Sequence, residues 1–170
     1  MKRALGKNCV PKYKALEYFY KSNTGLLFAT DAHVCLVCRD NQLAPGYYDA
    51  TYHPVKRGDW VACDVGAMFE EHRCSITPLR NDFISVDKYY YDGKDWLFDV
   101  KRVELLKEWI GGNGKLYITS YGSLYGVSND DQRFGLVWHE DKQVYKVGPS
   151  IFLTEQEARD FAAMIGVNYV

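Results

Sequence analysis

The sequence predicts an α+β fold with a mainly antiparallel sheet and two or three helices. Short runs of β-type residues alternate with turn residues, which is typical of antiparallel strands. The segment 100–110 has apolar residues at helical spacing, and Thr154 with Glu157 forms a capping box that starts another helix. No glycine-rich linker divides the chain, so we predict a single domain over 15–170, preceded by a basic arm over 1–14.

The first predicted elements are three strands of an antiparallel meander. Residues 15–20 are aromatic and apolar apart from Glu17, turn residues follow them, and two β-type runs come next at 26–30 and 34–38. A helix over 12–20 is the alternative, because three of its apolar residues would share a face: Tyr13, Leu16 and Tyr20.

The middle of the chain is less regular. Pro45, Gly46, Pro54 and Gly58 predict a long loop over 40–60. A short helix is predicted over 61–71, extended structure over 75–85, and a hairpin with an Asp-Gly turn over 89–98.

The clearest predicted helix, 100–110, follows a capping residue at Asp99 and ends at four residues rich in glycine. Strands are then predicted at 115–120, 124–127 and 134–139, with a further one at 143–147. The strand pattern of 15–38 therefore recurs around 115–139 as a weak internal repeat. Helical spacing gives the apolar stripe Val103, Leu106, Trp109 and Ile110, and the last helix, through about Ile165, has the apolar side Phe161, Ala162, Met164 and Ile165.

The cysteines predict reduced thiols in a cytoplasmic protein, because their number is odd and no secretory leader precedes them. Zinc is the alternative, since Cys35 and Cys38 form a C-x-x-C near other possible ligands. The run 34–38 is a continuous β-type segment, however, and strand residues three apart point to opposite faces. We therefore predict buried, inert thiols and no metal. The other possible zinc ligands are His33, His72 and Cys74.

The charge balance excludes a generally basic nucleic-acid-coating protein, because the chain has 21 Lys and Arg residues and 22 Asp and Glu residues. The arm over 1–14 is the exception, since it has no acidic residue and is suited to phosphate contacts. No apolar run approaches the roughly 20 residues that cross a bilayer, so we expect no membrane association. The cations of the arm are Lys2, Arg3, Lys7, Lys12 and Lys14.

Two stretches resemble the sliding clamps, the ring-forming processivity factors of DNA polymerases, in their bacterial DNA polymerase III β-subunit form. The run 26–34 is similar to the clamp pattern in which a strand ends in Ala-Thr-Asp-Gly-His and the next strand begins at once, with Ala32 in place of the glycine. The run 98–138 resembles the second half of a clamp domain: helix, glycine stop, strand, turn, strand, acidic turn and closing strand.

The resemblance implies two helix-plus-sheet halves, with the sheets outside and the helices facing duplex DNA. A bacterial clamp chain has three such domains and this chain has room for one, so a closed ring requires a homo-oligomer. The resemblance adds Lys101 and Lys107, on the exposed side of the helix 100–110, to the expected DNA contacts. The resemblance also implies structural roles for Asp31 and His33. Asp31 would accept hydrogen bonds from nearby backbone N–H groups, and His33 would help to hold the meander together.

The sequence carries no known catalytic motif around its histidines or serines, and we predict no catalytic residue and no cofactor. The glycine-rich run 111–114 follows a helix instead of preceding one, which favours a helix stop over a phosphate loop. Tyrosines in the irregular loop are either core-edge residues or anchors for a protein partner. The candidate anchors are Tyr47, Tyr48, Tyr52 and Tyr90.

These observations leave three hypotheses. The first is a non-enzymatic, clamp-like processivity or docking module of DNA replication, which binds duplex DNA or a DNA polymerase. The second is a small viral or mobile-element protein that binds a host protein and inhibits or redirects it. The third is a hydrolase with an unrecognised motif.

Overall fold

A computed structural model describes residues 18–56, 65–79 and 82–169 and confirms the α+β class. Every strand pair in it is antiparallel. The described elements are β1 (Phe19–Lys21), β2 (Leu26–Thr30), β3 (Val34–Arg39), β4 (Gly46–Tyr48), β5 (Pro54–Val55), α1 (Val65–Arg73), β6 (Ile76–Pro78), β7 (Ile84–Val86), β8 (Tyr89–Tyr91), β9 (Leu97–Asp99), α2 (Val100–Ile110), β10 (Lys115–Thr119), β11 (Ser123–Val127), β12 (Arg133–Trp138), β13 (Tyr145–Val147), β14 (Ser150–Phe152) and α3 (Glu155–Met164).

The described residues form two compact units. The first unit comprises 18–56, 65–79 and 101–138, and the second comprises 82–100 and 139–169. A single domain over 15–170 stays a prediction.

The first unit contains a nine-stranded sheet in the order β5-β4-β1-β2-β3-β12-β11-β10-β6. Both predicted meanders are present, β1-β2-β3 and β10-β11-β12, and they meet where β3 pairs with β12. In this pairing Cys35 lies opposite Leu136, Leu36 opposite Gly135, and Val37 opposite Phe134. The strand order runs β1-β2-β3 on one side of this junction and β12-β11-β10 on the other, so the two meanders are related by an approximate twofold.

The first turn of each meander has the same chemistry. Gly25 and Gly122 adopt left-handed φ angles of 84° and 75°, which cost glycine little and other residues more. The backbone N–H of the next residue then donates to a hydroxyl at the start of the turn, at 3.1 Å in both cases. These donor–acceptor pairs are Leu26 with Ser22 Oγ and Ser123 with Thr119 Oγ1.

Helices α1 and α2 cover opposite faces of the sheet. Phe69 of α1 is buried against Phe28, Tyr125 and Phe134. A Cβ added at Gly126 would point to the other face and would meet Leu106 of α2 at 3.0 Å. The predicted stripe of α2 is therefore its packing face, and Trp109 adds hydrogen bonds from Nε1 to the carbonyl oxygens of Phe134 and Val37.

The structure corrects several local predictions. Segment 40–60 contains the strands β4 and β5, and β4 extends the sheet beside β1, so the described part of this segment is not simply a loop. Met164 and Ile165 are 73% and 48% exposed and do not belong to the buried side of α3, which Ala158 and Ala162 provide. The first part of the alternative helix, 12–17, lies outside the described residues.

The second unit consists of the sheet β7-β8-β9, the hairpin β13-β14 and α3. The predicted capping box is present: Thr154 Oγ1 accepts from Glu157 N, and the Glu157 carboxylate accepts from Thr154 N. One core cluster is centred on Tyr89, Tyr91 and Leu97, and another lies between β13 and α3.

Candidate functional site

The predicted DNA-contacting residues are divided between described and undescribed parts of the chain. The arm cations Lys2, Arg3, Lys7, Lys12 and Lys14 lie outside the described residues. On α2, Lys101 is exposed, whereas Lys107 Nζ forms an ion pair with Glu104 Oε1 at 2.9 Å. The exposed side of α2 is therefore close to neutral.

The four candidate anchor tyrosines do not share one environment. Tyr48 is 5% exposed and donates to the carbonyl of Ala44, so it is a core residue and presents little surface to a partner. Tyr47 contacts Tyr20 at 5.1 Å between ring centroids. Tyr52 is 45% exposed and stacks on Phe19 at 5.0 Å. Tyr90 belongs to the second unit and stacks on Phe83 at 5.2 Å.

The turn between β2 and β3 has the structural role that the clamp pattern implies. Asp31 Oδ1 accepts hydrogen bonds from the backbone N–H groups of His33 and Val34 at 2.9 and 2.8 Å. Ala32 adopts a left-handed φ of 74°, a conformation in which glycine is the least strained residue. The His33 carbonyl accepts from Trp138 N, which fastens the turn to β12.

The thiols do not gather around a metal in the described part of the chain. Within 18–56, 65–79 and 82–169, no group of three His, Cys, Asp or Glu side chains is placed to hold an ion. Cys35 is buried in the core, as predicted, and burial raises the pKa of the half-buried Cys38 thiol. Cys74 is exposed, so the prediction of a buried thiol is wrong for this residue.

A buried polar chain that the sequence does not reveal joins α1 to β10 and β11. His72 Nδ1 lies 2.7 Å from Ser123 Oγ, which lies 2.7 Å from Thr119 Oγ1. Burial lowers the pKa of the His72 imidazole, which favours its neutral form. A serine beside a histidine is the start of a nucleophilic site, but Ser123 is fully buried and no substrate reaches it. The contact therefore stabilises the fold and does not support the hydrolase hypothesis.

The second unit carries a cleft of about 750 Å³ that the sequence analysis missed. Three separate segments build it: the β8–β9 turn, the residues that lead into β13, and α3 with the residues after it. Only the basic and aromatic interleaving of 142–146 signals it in the sequence. Its charged and aromatic lining residues are Tyr91, Lys94, Asp95, Lys142, Tyr145, Lys146, Glu155, Arg159 and Tyr169.

Three cations of the cleft are held by specific contacts, and Lys142 Nζ lies 5.4 Å from the centroid of the Tyr89 ring. Lys146 Nζ lies 5.1 Å from the centroid of the Tyr91 ring and donates to the Lys94 carbonyl at 3.3 Å. Arg159 forms an ion pair with Glu155, and its guanidinium carbon lies 5.2 Å from the centroid of the Tyr169 ring. The cleft thus presents cations against aromatic rings.

No family model, curated protein or solved structure matches this chain. In the part of the chain that the structure describes, no helix is long and apolar enough to cross a membrane.

Proposed function

We propose that this chain is a non-enzymatic, clamp-like module of DNA replication that acts as a processivity or docking factor. The observation that carries the proposal is the approximate twofold relation of the two meanders within the nine-stranded sheet, since the resemblance implies a domain made of two similar halves. Helices α1 and α2 depart from the resemblance, because they lie on opposite faces of this sheet and not together on one DNA-facing side. The Asp31 turn adds support, because Ala32 has a left-handed φ where the clamp pattern has glycine.

A single copy has room for one clamp-like domain, so the proposal requires a homo-oligomer to close a ring around duplex DNA. Phosphate contacts then come from the arm over 1–14 and from Lys101, because Lys107 is paired with Glu104. Binding that depends on a closed ring is topological: it outlasts a salt increase on closed circular DNA and is lost from linear DNA with free ends.

The test is a mass measurement in solution, followed by gel filtration with nicked circular and linear duplexes of equal length. We expect a stable multimer that stays on the circle at high salt and leaves the linear duplex. A monomer without affinity for duplex DNA would contradict the proposal.

A protein-binding module, such as a viral or mobile-element factor that binds a host DNA polymerase, is the second candidate. The nearly neutral outer side of α2 favours it over encirclement of DNA. So does the ring of Tyr52, which is held by Phe19 and remains 45% exposed, because rigid aromatic rings are favoured anchors at interfaces.

This second candidate is tested by titrating the labelled protein with a purified replicative DNA polymerase. Tyr52→Ala should weaken binding at least tenfold, an effect on the order of that of an interface anchor. The matched control is Tyr121→Ala, since Tyr121 is 47% exposed in the same unit. Equal losses in both variants, or no binding by the unmodified protein, would eliminate this candidate.

A further inference from the structure

We propose that the cleft of the second unit binds a nucleotide, with its phosphate on the lysines and its base against the tyrosines. The nucleotide is either free or part of a single strand, and the two sources share the same chemistry. This inference concerns the second unit alone and does not depend on the clamp-like function proposed for the chain.

The charge of the cleft favours a phosphate. Four of its lining side chains are cationic and two are acidic, a local excess of two positive charges in a chain whose net charge is −1. Such an excess attracts a dianion or two successive backbone phosphates. The four cations are Lys94, Lys142, Lys146 and Arg159.

Lys146 and Arg159 keep hydrogen-bond donors for a ligand. Lys146 has three N–H donors, and one of them is directed at the Lys94 carbonyl. The guanidinium of Arg159 has five, and its contacts to Glu155 use Nε and Nη2. Aromatic rings and oxygen acceptors already position these cationic groups. A phosphate that binds them therefore costs less side-chain conformational entropy than one that binds freely moving surface side chains.

The rings favour a planar group beside the phosphate. Tyr145 and Tyr169 are half-buried, and both pack against the cluster of Val147, Ala158 and Ala162. This packing holds both tyrosines in place, and both line the cleft. Tyr91 is 1% exposed and forms the floor, so the stacking positions are Tyr145 and Tyr169.

The size of the cleft agrees with this ligand class. A volume of about 750 Å³ falls in the range of small-molecule sites, roughly 300–1,000 Å³, and exceeds what one phosphate fills. Its lining is mostly charged and polar, which disfavours an apolar ligand.

The experiment measures the fluorescence anisotropy of a labelled oligothymidylate of about 12 nucleotides, titrated with the full chain at several salt concentrations. The double variant Lys142→Ala with Lys146→Ala should bind about tenfold more weakly. Its log–log salt slope should be shallower by about 1.4, because each phosphate contact to a single strand contributes about 0.7. The control is Lys115→Ala, an exposed lysine of the first unit, which should leave both quantities unchanged.

The stacking step has its own variants. Tyr169→Leu keeps an apolar side chain for packing and removes the aromatic face, so it should weaken binding about tenfold. Tyr169→Phe keeps the ring and should restore the affinity. Circular dichroism of each variant checks that α3 is retained.

Competition distinguishes the two sources. Displacement of the oligonucleotide by thymidine monophosphate at comparable concentration assigns a free nucleotide, whereas displacement only by unlabelled oligonucleotide assigns a strand. Absence of saturable binding to either probe would overturn the proposal. Equal competition by inorganic phosphate, or an equal loss in Lys115→Ala, would overturn it as well.

Discussion

At the scale of single residues, Gly135 sets how closely α2 approaches the sheet. A Cβ at this position would lie 2.5 Å from Leu106 Cδ1 and 2.9 Å from the backbone oxygen of Cys35, and the oxygen has no freedom to move aside. Gly135→Ala should therefore lower the free energy of unfolding by about 1–3 kcal/mol in a denaturant titration. A Cβ added at Gly112 would meet no atom within 4 Å, so Gly112→Ala should change the free energy of unfolding by less than about 0.5 kcal/mol. Equal effects of the two changes would contradict this packing.

His72 should make stability depend on pH. Burial lowers the pKa of its imidazole in the folded state below the ordinary value of 6.5, so the unfolded chain binds the proton more readily. The stabilisation is fully present above pH 6.5 and is lost as the pH falls from there through the folded-state pKa. Urea titrations between pH 8 and pH 5 should show this loss for the unmodified protein and a smaller one for His72→Gln. An equal loss in the unmodified protein and in His72→Gln would contradict this assignment.

At the scale of elements, α2 is the helix that the sequence predicts most completely. Its bounds, 100–110, are those expected from the apolar spacing, and Leu106 is fully buried. Leu106→Ala should lower the free energy of unfolding by about 2–5 kcal/mol, because it removes buried methyl groups and leaves a cavity. Glu108→Ala, on the exposed side, should cost less than about 0.5 kcal/mol. A denaturant melt without loss for Leu106→Ala would refute the packing face assigned to α2.

The first turn of α3 depends on its capping box. Thr154→Ala removes the hydroxyl that accepts from Glu157 N and should cost about 1 kcal/mol of stability in the second unit. Thr154→Ser keeps the acceptor and should recover most of this loss. The measurement is thermal unfolding followed by far-ultraviolet circular dichroism, and an unaffected Thr154→Ala variant would show that the box contributes little.

At the scale of the whole molecule, duplex binding should depend on the arm over 1–14 more than on α2. The arm has five cations without an acid, whereas Lys107 of α2 is paired with Glu104. Deleting residues 2–8 removes three cations and should flatten the log–log salt dependence by up to about 2.7, since each duplex phosphate contact contributes about 0.9. Lys101→Ala should change the slope by at most about 0.9. A larger change for Lys101→Ala than for the deletion would reverse this assignment.

The sequence by itself determined most of the local elements, because strands and helices follow from short-range patterns. The meander turns, the hairpin at 89–98, the bounds of α2 and the capping box of α3 all depend on residues that are close together in the sequence. The Asp31 turn belongs to this group, since its acceptor and donors are two and three residues apart. The strands within 40–60 were missed because they are short, and pairing with β1 stabilises β4 more than its own composition does.

Only the tertiary structure decided which distant residues meet. The pairing of β3 with β12 turns a weak repeat into an approximate twofold, and it places Gly135 under α2. The bond between His72 and Ser123 joins residues 51 positions apart, and the cleft brings together three segments that are separated by strands. No local pattern records such contacts, because burial and strand register, not composition, determine which side chains share a face or a cavity.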